Sequence, residues 1–339
     1  LNYQSPIGSS IAIFDLNAQW ADFQRNTTGL SGLTSAEGSR LHIEPSVGVG
    51  QHKSAGFWAA QAGYRYSQYQ LDYADSVFAG TVADTDPSRE VAYLSVDAGL
   101  FFDRQYNFAG LEGTQTLEPR IYYLRQGYED QDTLPIFDST SIALDYAQLF
   151  RSNRFVGLDR IGDADQITLG VTSRFLSAAD GRELFSVSLG QIEQFSDPRV
   201  SLANNPLANS LPESSALAGE ISAHLSPHWQ VIANEVWDYE QSQWQELGAT
   251  VRYRGDNKHL FNLGFRRRAQ EDIEQAELSF FWPLSHKLGV MARWHYDIGD
   301  DRTLEGFAGL EYDDCCLRVR LMLRQYLDNP AFAGQLQGN

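Results

Sequence analysis

Apolar and polar residues alternate along most of the chain. Residues 40–49 set Leu41, Ile43, Pro45, Val47 and Val49 against Arg40, His42, Glu44, Ser46 and Gly48. Residues 91–102 set Ala92, Leu94, Val96, Ala98, Leu100 and Phe102 against Tyr93, Ser95, Asp97 and Gly99. The pattern recurs with Ile167, Leu169, Val171 and Phe175, and with Leu317, Val319, Leu321 and Leu323. A strand turns successive side chains to opposite faces, whereas a helix of period 3.6 scatters such residues around its circumference. The alternation predicts about fifteen strands, near residues 10–21, 40–49, 57–70, 91–103, 114–125, 165–176, 184–195, 215–225, 228–238, 245–254, 259–267, 274–282, 287–297, 303–312 and 315–325.

Most of these segments run about 9–12 residues, the length of a tilted strand crossing a bilayer. Strands of soluble globular proteins average about 5–6. The expected fold is therefore all-β, a transmembrane antiparallel β-barrel, with residues 1–339 belonging to one barrel domain. A soluble all-β protein satisfies the alternation alone, but the Ser, Gly, Thr, Arg, Glu and Asp of the polar faces suit a wet lumen better than a packed interior. Trp20, Trp58, Tyr64, Tyr66, Trp229, Trp237, Trp282, Trp294 and Tyr296 fall near segment ends, where interfacial girdles are expected. Some connections are tight, such as Ser226-Pro227 and Pro283-Leu284-Ser285, while others are longer and acidic, around Asp84-Thr85-Asp86 and Asp297 to Arg302. The longest connection, residues 126–164, exceeds an ordinary turn and is expected to be functional or inserted.

Composition narrows the partners. With 44 acidic against 26 basic residues and a net charge of -18, a nucleic-acid partner is not expected, because backbone affinity needs clustered Lys and Arg. No apolar run approaches the roughly 18–20 residues of a membrane helix. Leu1 opens directly into polar residues without a signal sequence, so the start reads as the interior of a longer chain. No Gly-x-Ser-x-Gly elbow, phosphate-binding loop or His-Glu-x-x-His is present. The histidines lack metal-ligand spacing, so neither an enzyme activity, a metal nor a cofactor is expected.

Residues 149–174, from Leu149-Phe150-Arg151-Ser152-Asn153-Arg154-Phe155 through Asp159-Arg160-Ile161-Gly162-Asp163-Ala164-Asp165 to Ser173-Arg174, resemble the signature stretch of the LptD family of lipopolysaccharide-assembly proteins. Asp165 stands where that family usually carries Asn. Thr116-Leu117-Glu118-Pro119-Arg120, Leu41-His42-Ile43-Glu44-Pro45 and Tyr312-Asp313-Asp314-Cys315-Cys316 also resemble family segments. The resemblance implies a very large outer-membrane barrel of Gram-negative cells. Such a barrel accepts lipopolysaccharide from a periplasmic bridge through LptA, inserts it into the outer leaflet, and holds the lipoprotein LptE as an internal plug. It also implies that the family's N-terminal β-jellyroll and the first and last barrel strands lie outside this segment, which would be a middle-to-C-terminal part. A diffusion porin or substrate-specific channel needs the same strands and is the competing expectation.

Four groups of residues are candidates for function. Cys315 and Cys316 are the only cysteines. Within the expected strand 315–325 they face opposite ways, poorly placed to bond each other. The resemblance implies long-range disulfides to the N-terminal domain, against the alternative of two free, buried thiols. Arg252, Arg254, Arg266, Arg293, Arg318, Arg320 and Arg324 fall on expected lumen faces. There they either meet the phosphates of a glycolipid, hold the plug, or pair with Glu246, Glu277 and Glu305. Pro45 and Pro119 each follow a Glu within a strand and are expected at bulges or weakened pairing. Arg151, Arg154, Asp159, Arg160 and Asp163, among Phe150, Phe155 and Ile161, suggest an ordered loop folded on the lumen by ion pairs.

Overall fold

The alternating stretches become strands. The computed structural model describes residues 2–6, 12–27, 30, 32–74, 77–78, 81–82, 84–108, 110–142, 144–202, 217–238, 242–269 and 272–326. The starts of the expected strands 10–21 and 215–225 lie outside them. Among the described residues, seventeen strands belong to one main sheet and the only helices are short 3-10 turns. The protein is all-β. The chain divides into two compact units. The first holds residues 1–102, 118–171 and 190–215; the second holds 103–117, 172–189 and 216–339.

The first unit is built on β1 (Asn2–Pro6), β2 (Ala12–Phe23), β3 (Ala36–Lys53), β4 (Gly56–Tyr73) and β5 (Ser88–Leu100). After β6 (Phe102–Phe108) comes β7 (Leu111–Gln126), whose second half pairs with β5 from Tyr93↔Gln126 to Gly99↔Arg120. The pairings β1–β2, β2–β3, β3–β4, β4–β5 and β5–β7 are antiparallel, and the register keeps one face consistent across the strands: His42↔Ser67, Ser67↔Arg89 and Tyr93↔Gln126 all share it. The opposite face carries the exposed Val47, Val49, Trp58, Leu94, Val96 and Ile121. Gly63 makes the polar face possible, because a Cβ there would lie 2.5 Å from the Tyr93 ring.

β3 and β4 are 18 residues long, on the order of 60 Å at about 3.3 Å per residue. A bilayer crossing uses only about 9–11. Past Ala62 the outward positions of β4 turn polar, with Tyr64, Tyr66, Gln68 and Gln70, so the strands continue beyond the apolar band. In this unit the connection at 54–55 is tight, while those at 24–35, 74–87 and 127–163 at the other end are long.

The second unit runs as a meander of β10 (Leu217–His224), β11 (Trp229–Asp238), β12 (Gln243–Arg254), β13 (Leu260–Arg268), β14 (Ile273–Pro283), β15 (Leu288–Asp297), β16 (Arg302–Asp314) and β17 (Leu317–Tyr326). β8 (Ala164–Ser177) and β9 (Glu183–Gln194) precede it. Its aromatics gather at both ends of the strands. Trp229 meets Tyr253 at 4.7 Å and Tyr253 stacks on Trp282 at one end. At the other, Trp237 meets Trp244 at 4.7 Å and Trp294 meets Tyr296 at 5.0 Å. From Trp229 to Trp237 is on the order of 26 Å along the strand, the height of an outer-membrane apolar band. Both ends of this meander have short connections, unlike the first unit.

Two expectations are corrected. The expected strands are present among the described residues, and β1 and β6, which carry little alternation, join the same sheet. β6 forms a hairpin with the start of β7 through Arg104–Gln115 at 2.8 Å and Gln105–Thr114 at 3.1 Å. Pro45 is not at a bulge: the register passes unshifted from Ile43↔Tyr66 to Ser46↔Gly63, leaving Glu44 and Pro45 as a gap in the β3–β4 ladder. Pro119 lies one residue beyond the last β5–β7 pair, level with Leu100 at the end of β5. Register shifts occur instead at Val236/Trp237 and His295/Tyr296.

The two-faced sheet makes a direct prediction. Leu263, exposed on the apolar face near the middle of β13, costs about 2–4 kcal/mol when replaced by Arg in a bilayer. Neighbouring Asn262→Arg on the other face stays within about 0.5 kcal/mol. Equilibrium urea unfolding in lipid vesicles measures the difference.

Candidate functional site

The polar face of the first unit is covered by residues 127–163, and charge holds them there. Asp159 is completely buried. Its Oδ1 accepts hydrogen bonds from Arg40 Nη1 at 2.5 Å and the Tyr69 hydroxyl at 3.1 Å. Its Oδ2 accepts the backbone N–H groups of Phe137 and Asp138, both at 2.7 Å. Asp138 in turn accepts Arg40 Nη2 at 2.7 Å and the Leu158 N–H at 3.0 Å. Arg40 also donates to Gln19 Oε1 at 2.9 Å and lies over the Phe23 ring at 5.1 Å.

Two further buried arginines have carbonyl partners. Arg89 on β5 donates to Leu158 O at 2.6 Å, Asp159 O at 2.7 Å, Gln131 Oε1 at 3.0 Å and Ser67 Oγ at 2.8 Å. Arg160 donates to Leu134 O at 2.9 Å and Ser201 O at 3.2 Å. Gln131 bridges the limbs of the segment, accepting the Ile161 N–H at 3.0 Å and donating to Ile161 O at 2.8 Å. Ser139 Oγ accepts the N–H groups of Asp159 and Arg160, both at 3.0 Å. A buried polar group without a partner is expensive, and the turns of this segment supply partners to the strand wall.

A second contact lies along the same face. Arg65 donates to Glu44 Oε1 at 2.9 Å and Ser152 Oγ at 2.9 Å, and also to Gln126. Gln126 donates to Gly162 O. Apolar packing adds Leu134 against Tyr69 and Leu71, and Phe137 stacked on Phe23 at 4.3 Å.

Of the five charged residues singled out in this connection, Asp159 and Arg160 form the centre of the network. Arg154 pairs with Asp163 at 3.2 Å, and Asp163 also accepts the Val200 N–H at 3.0 Å. Arg151 is exposed and hydrogen-bonds Gln148 at 3.0 Å, away from the rest. Sequence reasoning missed their partners on the strands, Arg40, Arg65, Arg89 and Tyr69, and Asp138 within the segment. The signal was available, since Arg40, His42 and Glu44 already stood on the polar side of β3.

Electrostatics follow burial. Burial alone would raise Asp138, but the Arg40 hydrogen bond and charge hold its carboxyl well below the usual range. Burial pushes the Arg160 guanidinium down. Ser67, His42 and Glu44 are adjacent, with Ser67 Oγ 2.9 Å from His42 Nδ1 and Glu44 3.7 Å from Nε2. Ser67 and His42 are fully buried beneath the segment, so this cluster is closed to a substrate. Among the described residues no His, Cys, Asp and Glu group could hold a metal ion.

In the second unit, the candidate arginines share the face opposite Leu317, Val319, Leu321 and Leu323. Arg293 pairs with Glu277 at 3.0 Å and Glu305 at 3.5 Å, Arg318 with Asp313 at 3.0 Å and Arg320 with Glu311 at 2.5 Å. Arg324 pairs with Glu305, and Arg266 donates to Gln275 Oε1 at 2.9 Å. These pairs are largely solvated and add little stability. Arg252 and Arg254 have no ion pair among the described residues.

The expectation that Cys315 and Cys316 lie on a strand is corrected. Asp314↔Leu317 is the last pair of β16 and β17, so Cys315 and Cys316 form the two-residue turn between them. Both are exposed, not buried, and their Sγ atoms are 3.1 Å apart. Alternation of faces does not apply in a turn.

The family model for LptD, LPS transport system D, matches residues 1–314. The chain belongs to the LptD family. The LPS-assembly protein LptD of Xanthomonas oryzae pv. oryzae (strain MAFF 311018) is 36% identical over 313 residues, covering 89% of this chain and 38% of that protein. Its counterpart in Pseudomonas aeruginosa (strain UCBPP-PA14) is 37% identical over 343 residues, covering 90% and 37%. The chain thus spans less than two-fifths of the length of these LptD relatives. Similarity to solved structures is weaker: the ferric-catecholate import receptor Fiu from E. coli K12 has a TM-score of 0.39 at 10% identity, covering 93% of this chain and 60% of that one. LptD membership places the protein in the outer membrane.

Arg40→Met removes one partner of a buried ion network and costs about 3–5 kcal/mol. Trypsin then cleaves within residues 127–163 at least tenfold faster than in the parent. The Asp138–Arg40 pair contributes stability above the unfolded carboxyl value of about 3.9, and loses it only as pH falls through the depressed folded value. Trypsin does not report in acid, so pepsin is the probe there: the segment resists it at pH 4 and yields only further into acid.

Proposed function

We propose that this segment is part of the outer-membrane lipopolysaccharide translocon, taking lipopolysaccharide from a periplasmic bridge and inserting it into the outer leaflet. The family match over residues 1–314 carries this reading. The two-faced sheet supports it: an apolar outer surface suits lipid, and an inner surface lined with Arg, Glu, Gln and Ser suits a hydrated saccharide. The reaction makes and breaks no covalent bond, and its energy comes from elsewhere along the bridge. LptE is the internal plug and LptA the bridge component, reached through the family's N-terminal domain. The inner-face arginines Arg252 and Arg254, without carboxylate partners among the described residues, are the best placed to meet phosphate groups or the plug.

Cys315 and Cys316, exposed at a hairpin tip, are available for two long-range disulfides to the N-terminal domain. On a non-reducing gel of the full-length protein from envelopes, each single Ser variant keeps a redox-dependent mobility shift and the double variant loses it. No shift in the parent removes the disulfide assignment.

Transport itself is tested by photo-crosslinking in living cells. A photoreactive phenylalanine at Thr250, on the inner face of β12, yields lipopolysaccharide adducts at least fivefold above those at Trp282, which stands in the outward aromatic girdle near the membrane edge. Absence of adducts together with stable single-channel conductance favours a diffusion channel.

A further inference from the structure

Residues 127–163 could act as a gate that swings aside for cargo, or as a fixed strut. We infer that they are a fixed strut pinned by Asp159, and that cargo passes without displacing them. The inference rests on the transport function proposed above.

Asp159 is completely buried and accepts four donors, two from the strand wall (Arg40 and Tyr69) and two from the segment's own backbone. One carboxylate therefore shapes the turn at Phe137-Asp138 and fastens it to β3 and β4 at the same time. Moving the segment would break both sets of bonds together. It would also leave Arg89 on the wall with Ser67 alone among its present partners, since Leu158 O, Asp159 O and Gln131 all depart. No carboxylate is among the side chains Arg89 bonds. A guanidinium whose charge is dispersed over the carbonyls of a neighbouring segment is a poor hinge, because opening leaves that charge without its carbonyl partners.

The attachments are also spread out. They reach β2 through Phe23, β3 through Arg40, β4 through Tyr69 and Arg65, β5 through Arg89 and β7 through Gln126. A gate needs one weak side from which to open, and here each limb is bonded to the wall. The return limb enters β8 directly after Asp163, which leaves it no slack.

The test is hydrogen exchange on the full-length protein with its partner in phospholipid nanodiscs, with and without purified lipopolysaccharide. Peptides covering 134–141 and 157–163 contain the amides bonded to Asp159, Ser139 and Gln131. Their exchange is expected to change less than twofold on adding lipopolysaccharide. Acceleration of tenfold or more overturns the inference. Asp159→Ala is expected to accelerate the same peptides at least tenfold, and unchanged protection would overturn Asp159 as the pin. Should that variant not assemble, Ser139→Ala, which removes the acceptor of two of these amides, is expected to give acceleration of at least threefold, and no change again overturns it. If lipopolysaccharide is not retained on the nanodiscs, the transport function fails, and the variants alone decide the strut: release sustains it and retained protection overturns it.

Discussion

Everything in the first unit turns on the need to find partners for arginines placed on the inner wall of a sheet. Strand geometry puts Arg40, Arg65 and Arg89 on one face, side by side, where water would ordinarily solvate them. Residues 127–163 cover that face and must replace the water. They do so with two carboxylates, several backbone carbonyls, the amide of Gln131 and the Ser152 hydroxyl. Because the carbonyls of Leu158 and Asp159 are already committed to Arg89, the turn that contains them has little conformational choice. The chain order Asp159-Arg160 then sets an acid facing the wall beside a base facing the segment's own carbonyls.

The second unit solves a simpler problem. Its arginines and carboxylates stand opposite one another on neighbouring strands, as Arg293 does with Glu277 and Glu305, and solvent reaches them. No segment is needed to cover this face. Strands β10 to β17 are accordingly joined by short connections at both ends, while the long connections lie between β2 and β10. Its outer surface obeys the same alternation as the first unit, bounded by aromatic residues at both ends of the strands.

Period-two alternation was enough to place most strands and to assign their faces, because lipid on one side and water on the other impose opposite chemistry on successive residues. It failed where only one of those demands acts. Phe102–Phe108 carries Asp103, Arg104, Gln105 and Asn107, and no apolar rhythm betrays it. Pro45 suggested a bulge, yet the ladder tolerates it as a gap, since Leu16↔Pro45 keeps the neighbouring register. The partners of Asp159 were hidden for another reason: Arg40 and Asp138 lie 119 and 21 residues away from it along the chain, and local composition does not reveal which distant wall a loop will meet. Cys315 was misplaced by two residues, enough to change strand into turn.

The length of β3 and β4 has a further consequence. After the outward residues turn polar at Tyr64, β4 continues for roughly 30 Å along the strand, and Ser67 and Tyr69, the partners of Arg89 and Asp159, lie on this continuation. The sheet therefore forms a parapet above the lipid, with its own ladder of hydrogen bonds and water on its outer side. The docking of residues 127–163 is set by that parapet and is decoupled from bilayer thickness, so this end of the wall keeps its shape as the surrounding lipid varies.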